Sequence, residues 1–279
     1  MPEFATPTPI DLAINLPVGA ITVVASDRTD TVVTVSPTNP SKAVDRRGAD
    51  ETRVEFDGRR LTVTGPKPRF TIVGPNESID VRVELPTGSR LSAETSAGQV
   101  RTLGRLGATR VKSSLVDLES TGDLWVRALH GNVVVGTADG DAEITADHGQ
   151  IRIGTVTGDA IINASHGTIV VGESGGDLEA KLSYGDLELG TAGASVSAKT
   201  AYGSLQIGEV SSGSIQLESG YGQITIGVQP GVPAWLDLAS KNGHVRNELD
   251  GDGAPAPDER TVAVRARTQF GDISIQRAR

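Results

Sequence analysis

From His130 to Gly227 the apolar and polar positions alternate in short runs, and the runs recur. HGNVVVG (130–136), HGQIRIG (148–154), HGTIVVG (166–172), YGDLELG (184–190) and YGSLQIG (202–208) follow one another at intervals of eighteen residues, and YGQITIG (221–227) comes one residue late. Ile151, Ile169, Leu187, Leu205 and Ile224 form one apolar column. Ile153, Val171, Leu189, Ile207 and Ile226 form a second, two residues on. The residues between the columns are mostly polar. Period two with one apolar face predicts half-buried strands. A second strand falls midway in each unit: AEITA (142–146), AIINA (160–164), LEAKL (178–182), VSAKT (196–200) and IQLES (215–219). Glycine precedes most strands, where a corner needs positive φ.

A fixed period near twenty with strands and no helix signal predicts a β-solenoid, in which successive coils pair strand on strand about 4.8 Å apart. One coil cannot bury enough apolar surface to fold alone, so stability belongs to the stack. The expected organisation is one continuous all-β domain over 1–279. It comprises irregular N-terminal coils with two long loops (1–112), regular repeats (113–227) and C-terminal coils with a loop at 248–259. Early strands are expected at Ile10–Leu16, Ala20–Ala25 and Thr31–Ser36. Residues 37–51 read as a polar loop carrying Lys42, Arg46 and Arg47, either an anion or partner contact or a solvated insertion. Residues 65–77 read as a second loop with Phe70, Ile72 and Val73, either a contact surface or a cap on the coil end. The chain is expected to continue past Gly227 through Ala234–Ser240 and KNGHVRN (241–247), and to finish in a last coil with VAVRART (262–268) and FGDISI (270–275).

Composition narrows the function. The 279 residues include 34 Gly and few aromatics, as many short strands and turns require, and no Cys, which excludes disulfides and thiolate chemistry. A net charge of −9 gives no basic face for nucleic acid. MPEFATPTPIDLAINLP has neither a basic n-region nor an apolar h-region, and no window is apolar enough to span a membrane, so a cytoplasmic location is expected.

Two columns carry candidate chemistry. His130, His148 and His166, continued by Tyr184, Tyr202, Tyr221, Asn242 and Phe270, could hold a metal or form a stacked corner ladder. Protonated neighbours in such a ladder would repel, predicting lost stability below about pH 6. Asp123, Asp141, Asp159 and Asp177 each follow a glycine. They could hold calcium between coils, as in nonapeptide β-rolls, or bond nearby backbone amides. The paired glycines of the calcium motif are lacking. Glu179 and Glu188 are the carboxylate pair to weigh for polysaccharide cleavage, but regular short coils build no cleft. Asp147 and His148 meet no G-x-S-x-G elbow. No catalytic, cofactor or metal residue is therefore assigned.

The recurring Ala/Ser-x-His/Tyr/Asn-Gly-x-(Ile/Leu/Val)-x-(Ile/Leu/Val)-Gly pattern resembles bacterial β-strand-repeat proteins of the adhesin-head type, in their actinobacterial branch. INLPVGAITVVASDRTDTVVTV near the start, PAWLDLASKNGHVRNEL (233–249) and VRARTQFGDISI (264–275) share the likeness. The repeat gives about eighteen residues per coil in the central region, and the resemblance implies that the β-solenoid is right-handed and has no known catalytic residues. The expected function is a non-catalytic structural or protein-interaction solenoid whose partner is another protein or itself, with open coil ends inviting strand addition. The alternative is a cell-surface adhesin or carbohydrate-binding module, which requires exposed aromatic platforms.

Overall fold

A computed structural model of the chain describes residues 2–67, 77–249 and 260–278. It falls into two compact units, Met1–Asp139 and Gly140–Arg279, and each carries parallel β-solenoid coils. Phe70, Ile72 and Val73 lie outside the described residues, as does all of the expected 248–259 loop beyond Leu249.

The second unit carries the regular repeat. Strand Ala142–His148 pairs in parallel with Ala160–His166, that strand with Leu178–Tyr184, and that with Val196–Tyr202, always eighteen residues apart. The other wall follows the same rule through Ile151–Val156, Ile169–Ser174, Leu187–Ala192 and Leu205–Val210. Inward positions such as Ile144, Ile162, Ala180 and Ala198 are buried, and the residues between them are exposed or half-buried. The alternation of the sequence thus becomes the two faces of each wall. Coil corners sit on glycine for a steric reason. At Gly185 φ is +151°, and an added Cβ would lie 1.7 Å from the Gly167 carbonyl oxygen of the coil before it. A side chain there would force the coils apart.

Past Gly213–Tyr221 and Ile224–Val228 the coil order departs from the chain order. Tyr221 and Ile224 pair with Phe270 and Ile273, so the coil built by Val262–Phe270 and Ile273–Arg277 comes next. The coil of Ala234–Asn242 and Val245–Asn247 lies beyond it, paired on Phe270 and Ile273 from the other side. The chain skips one level and returns to fill it, which corrects the expectation that 262–275 forms the last coil. A column of inward hydroxyls repeats this order. Thr200, Ser219, Thr268 and Ser240 bond the carbonyls of Gly185, Gly203, Gly222 and Gly271, each one coil back.

The first unit is less even. Strand Asp11–Ser26 runs through a corner at Gly19 and pairs in parallel along its length with Arg90–Arg105. Later coils vary: Thr109 pairs with Leu124 fifteen residues on, and Val116 with Val133 seventeen on. On its other edge Asp11–Ser26 carries Arg60–Thr64 and Ile79–Pro86, still parallel. Outside these the pairing turns antiparallel: Arg53–Phe56 lies on Arg60–Thr64, Asp30–Pro37 on Ile79–Pro86, and Glu3–Ala5 on Asp30–Pro37. The strand expected at Thr31–Ser36 is present but belongs to this antiparallel layer rather than to a coil.

The expected polar loop at 37–51 is also different in kind. Ala43–Glu51 is an α-helix packed against Asp30–Pro37 and Ile79–Pro86. Its Asp45 is buried and accepts hydrogen bonds from the backbone N–H groups of Asn39 (3.1 Å) and Ser78 (3.1 Å). Arg47 pairs with the buried Glu77 and, at 3.8 Å, with Glu51. Arg46 donates to the Pro40 carbonyl oxygen at 2.7 Å. Much of the cationic trio therefore ties the helix down instead of reaching outward.

Candidate interaction surfaces

The most conspicuous outward feature of the second unit is its ring ladder. His148, His166, Tyr184, Tyr202 and Tyr221 each end a strand one residue before a corner glycine, and the coil register, eighteen residues and then nineteen at the last step, stacks them. Phe270 joins next because its coil does. Centroids are 4.7–5.1 Å apart, and from His166 to Phe270 the planes agree within 5°. The three Tyr and Phe270 remain about half exposed. Their ring faces cover one another, so the surface shows edges and hydroxyls. A sugar that stacks on an open ring face finds none in the interior of this column.

The spacing of the ladder bears on the metal reading. His148 and His166 lie 4.8 Å apart and within 17° of parallel. Equivalent nitrogens then sit about one coil spacing apart, wider than the ~3.3 Å separating two ligands of one tetrahedral zinc. His130 ends strand Leu124–His130 in the first unit. Among the described residues no group of three or more His, Cys, Asp or Glu is placed to hold a metal.

The acidic column is built into the backbone. Asp141 Oδ1 accepts the Asp159 N–H at 2.9 Å, Asp159 accepts that of Asp177 at 2.9 Å, and Asp177 that of Ser195 at 3.0 Å. Each carboxylate satisfies an amide of the next coil. Asp123 stands at the same turn position in the first unit, where its carbonyl oxygen accepts the Thr109 N–H. A second such set went unnoticed in the sequence: Asp186 accepts the Ser204 N–H at 2.7 Å, and Asp272 that of His244 at 2.8 Å. The bond from the His244 amide, with His244 and Arg246 nearby, holds the Asp272 carboxyl below the usual range. Its signal was readable, since YGDLELG and FGDISI place Asp directly after the corner glycine.

Glu179 and Glu188 sit on strands that do not pair with each other, and Glu179 is bridged to Lys181 at 2.5 Å. Contrary to the expectation that the regular coils build no cleft, a shallow one of about 370 Å³ runs beside Asp159, Ile161, Asp177, Glu179, Ser197 and Gln216. Two of its carboxylates are those already bonded to turn amides, so its acidity serves the fold.

The remaining surface is the outer coil, Ala234–Asn242 and Val245–Asn247. Leu236 and Leu238 point inward but are only half buried, and Val245 is 45% exposed. One coil below, Val264, Ala266 and Ile273 are buried. Trp235, on the outer face, is 77% exposed. Among the described residues no strand pairs with the far edge of Ala234–Asn242. Asp237 fastens this coil to the one below: Arg267 reaches its carboxylate at 2.7 Å and its carbonyl oxygen at 2.9 Å, and Arg265 its carboxylate at 3.1 Å. The hydrogen bonds from Arg267, then Arg265, hold the Asp237 carboxyl below its ordinary range.

Three solved structures align with the chain at low similarity. A candidate adhesin from Bacteroides fragilis is 11% identical, with 98% of this chain and 95% of that one covered and a TM-score of 0.40. A candidate adhesin from Parabacteroides distasonis is 12% identical over the same shares, at 0.33. A candidate cell adhesion protein from Clostridium sporogenes is 11% identical over 99% of each chain, at 0.22. At these values the likeness carries no function across. Comparison with curated proteins returns no match. The Toastrack DUF4097 family matches residues 11–276, nearly the whole length, and the chain belongs to that family.

Proposed function

We propose that this chain is a non-catalytic structural solenoid that makes protein contacts through the open edge of its outer coil. The observation that carries the reading is the unpaired edge of Ala234–Asn242, with Leu236, Leu238 and Val245 incompletely covered and Trp235 77% exposed beside them. Unpaired strand edges with apolar flanks recruit further strands. The first unit treats its outermost strands in the opposite way. Short antiparallel strands and the Ala43–Glu51 helix lie over Arg60–Thr64 and Ile79–Pro86, and Phe4 packs on Phe56 at 5.0 Å.

The test is site-specific photocrosslinking in cells that make the protein. A photoreactive residue at 235 is expected to give discrete protein adducts, whereas one at Gln206, on an exposed wall, gives none. Adducts from 206 and none from 235 would overturn the reading. A second reading, carbohydrate contact at a cell surface, draws on the same Trp235, which stacks on no other ring among the described residues. Quenching of its emission by oligosaccharides, abolished in Trp235→Ala, would favour it.

A further inference from the structure

Resting on the open-edge reading, we propose that the partner at this edge is a second copy of the chain, joined antiparallel through Ala234–Asn242 about a two-fold axis at Leu238. The strand is complementary to itself in that register. Trp235 faces the partner's Lys241, an indole against an ammonium, an attractive cation–π pair. Asp237 faces Ala239, so no like charges meet. On the inner side Leu238 meets Leu238 and Leu236 meets Ser240, which closes the incompletely buried core over the two leucines. All nine residues overlap, Ala234 against Asn242. A register centred one residue earlier sets Asp237 against Asp237. One centred a residue later sets Leu238 against Ser240 and Leu236 against Asn242, and strands Ala234 and Trp235 beyond the pairing. On the short wall Arg246 is met by Asp272 of its own chain at 3.8 Å, so it enters the interface partly neutralised.

Pairing of this kind is isologous and closes on itself. The two-fold uses the same edge of both copies, so the product is a dimer and not a filament.

The chain has no cysteine, so a single introduced thiol reports one contact. Residues directly opposite in an antiparallel pair have Cβ atoms about 4.5–5.5 Å apart, near the span a disulfide bridges. Light scattering of the full-length protein is expected to give twice the 28.9 kDa chain mass at high concentration, falling to one on dilution. Under mild oxidation Leu238→Cys is expected to form a covalent dimer at least tenfold faster than Ala239→Cys. Ala239→Asp, which gains Arg267 as a neighbour in its own chain but meets the partner's Asp237, should raise the dimer dissociation constant tenfold or more while circular dichroism stays unchanged. A monomer at every concentration, or Ala239→Cys crosslinking as fast as Leu238→Cys, overturns the proposal. A monomer that still gives adducts with other proteins from position 235 refutes the dimer alone. A monomer with no adducts refutes the open-edge reading as well.

Discussion

Replacing Gly185 by Ala tests why the corners are glycine. The perturbation adds one carbon. Two costs follow from the structure. At φ +151° an L-residue is strained by about 1–3 kcal/mol. The new Cβ would also lie 1.7 Å from the Gly167 carbonyl oxygen, so the coils must separate there by more than 1 Å. That movement weakens the bonds Gly167 N–H to Tyr184 O (3.0 Å) and Ile169 N–H to Asp186 O (2.9 Å), which span the two coils and are worth about 1 kcal/mol each. The expected loss is roughly 3–5 kcal/mol. Gly231 in the same unit supplies the control. Its φ is +79°, but an added Cβ meets nothing within 4 Å. Gly231→Ala therefore bears only the backbone strain, about 1–2 kcal/mol. Urea unfolding of both variants measures the difference, and thermal melting should separate them by several degrees. Losses equal within about 0.5 kcal/mol would show that close approach of the coils is not what demands glycine.

Three further outcomes follow from the same geometry. Ile162→Ala, in the middle of the second unit's core, should cost about 2–5 kcal/mol by urea unfolding because the rigid coils above and below cannot collapse on the cavity. Asp45→Ala leaves the amides of Asn39 and Ser78 without their acceptor and should cost about 1–3 kcal/mol, with limited proteolysis showing release of the Ala43–Glu51 segment. Asp237 has its carboxyl lowered by Arg267 and Arg265 in the folded state, so its contribution is full above the ordinary carboxylate pKa and is lost as pH falls through the lowered value. Acidification below about pH 4 should therefore raise hydrogen exchange in Ala234–Asn242, and the effect should disappear in Asp237→Asn.

The repeat was legible because its period is both chemical and geometric. Eighteen residues between Ile151 and Ile169 in the sequence is the same eighteen that pairs them in space. The ring ladder and the acidic column were legible for the same reason. What escaped notice lay where local pattern does not fix a global choice. The alternation in 234–242 and in 262–270 suits either of two adjacent levels. The choice falls to long-range fits: Phe270 stacks on Tyr221 at 4.7 Å, Thr268 bonds the Gly222 carbonyl, and Trp235 is left outside. The helix at Ala43–Glu51 has no side-chain cap at Lys42 and only nine residues, so little marks it in the sequence. Asp45 and Arg47 hold it through partners more than two dozen residues away, at Ser78 and Glu77. Strand Asp30–Pro37 alternates as a coil strand does, and nothing in its own residues distinguishes antiparallel pairing on Ile79–Pro86.

Hydrogen–deuterium exchange of the dilute protein, resolved to the last two coils, tests the central claim most directly. The account predicts that Val262–Phe270, paired on both sides, exchanges much more slowly than Ala234–Asn242, although it lies nearer the C-terminus. Fast exchange in Val262–Phe270 with protection of Ala234–Asn242 would place the coils in chain order. It would remove the open edge on which the proposed contacts depend.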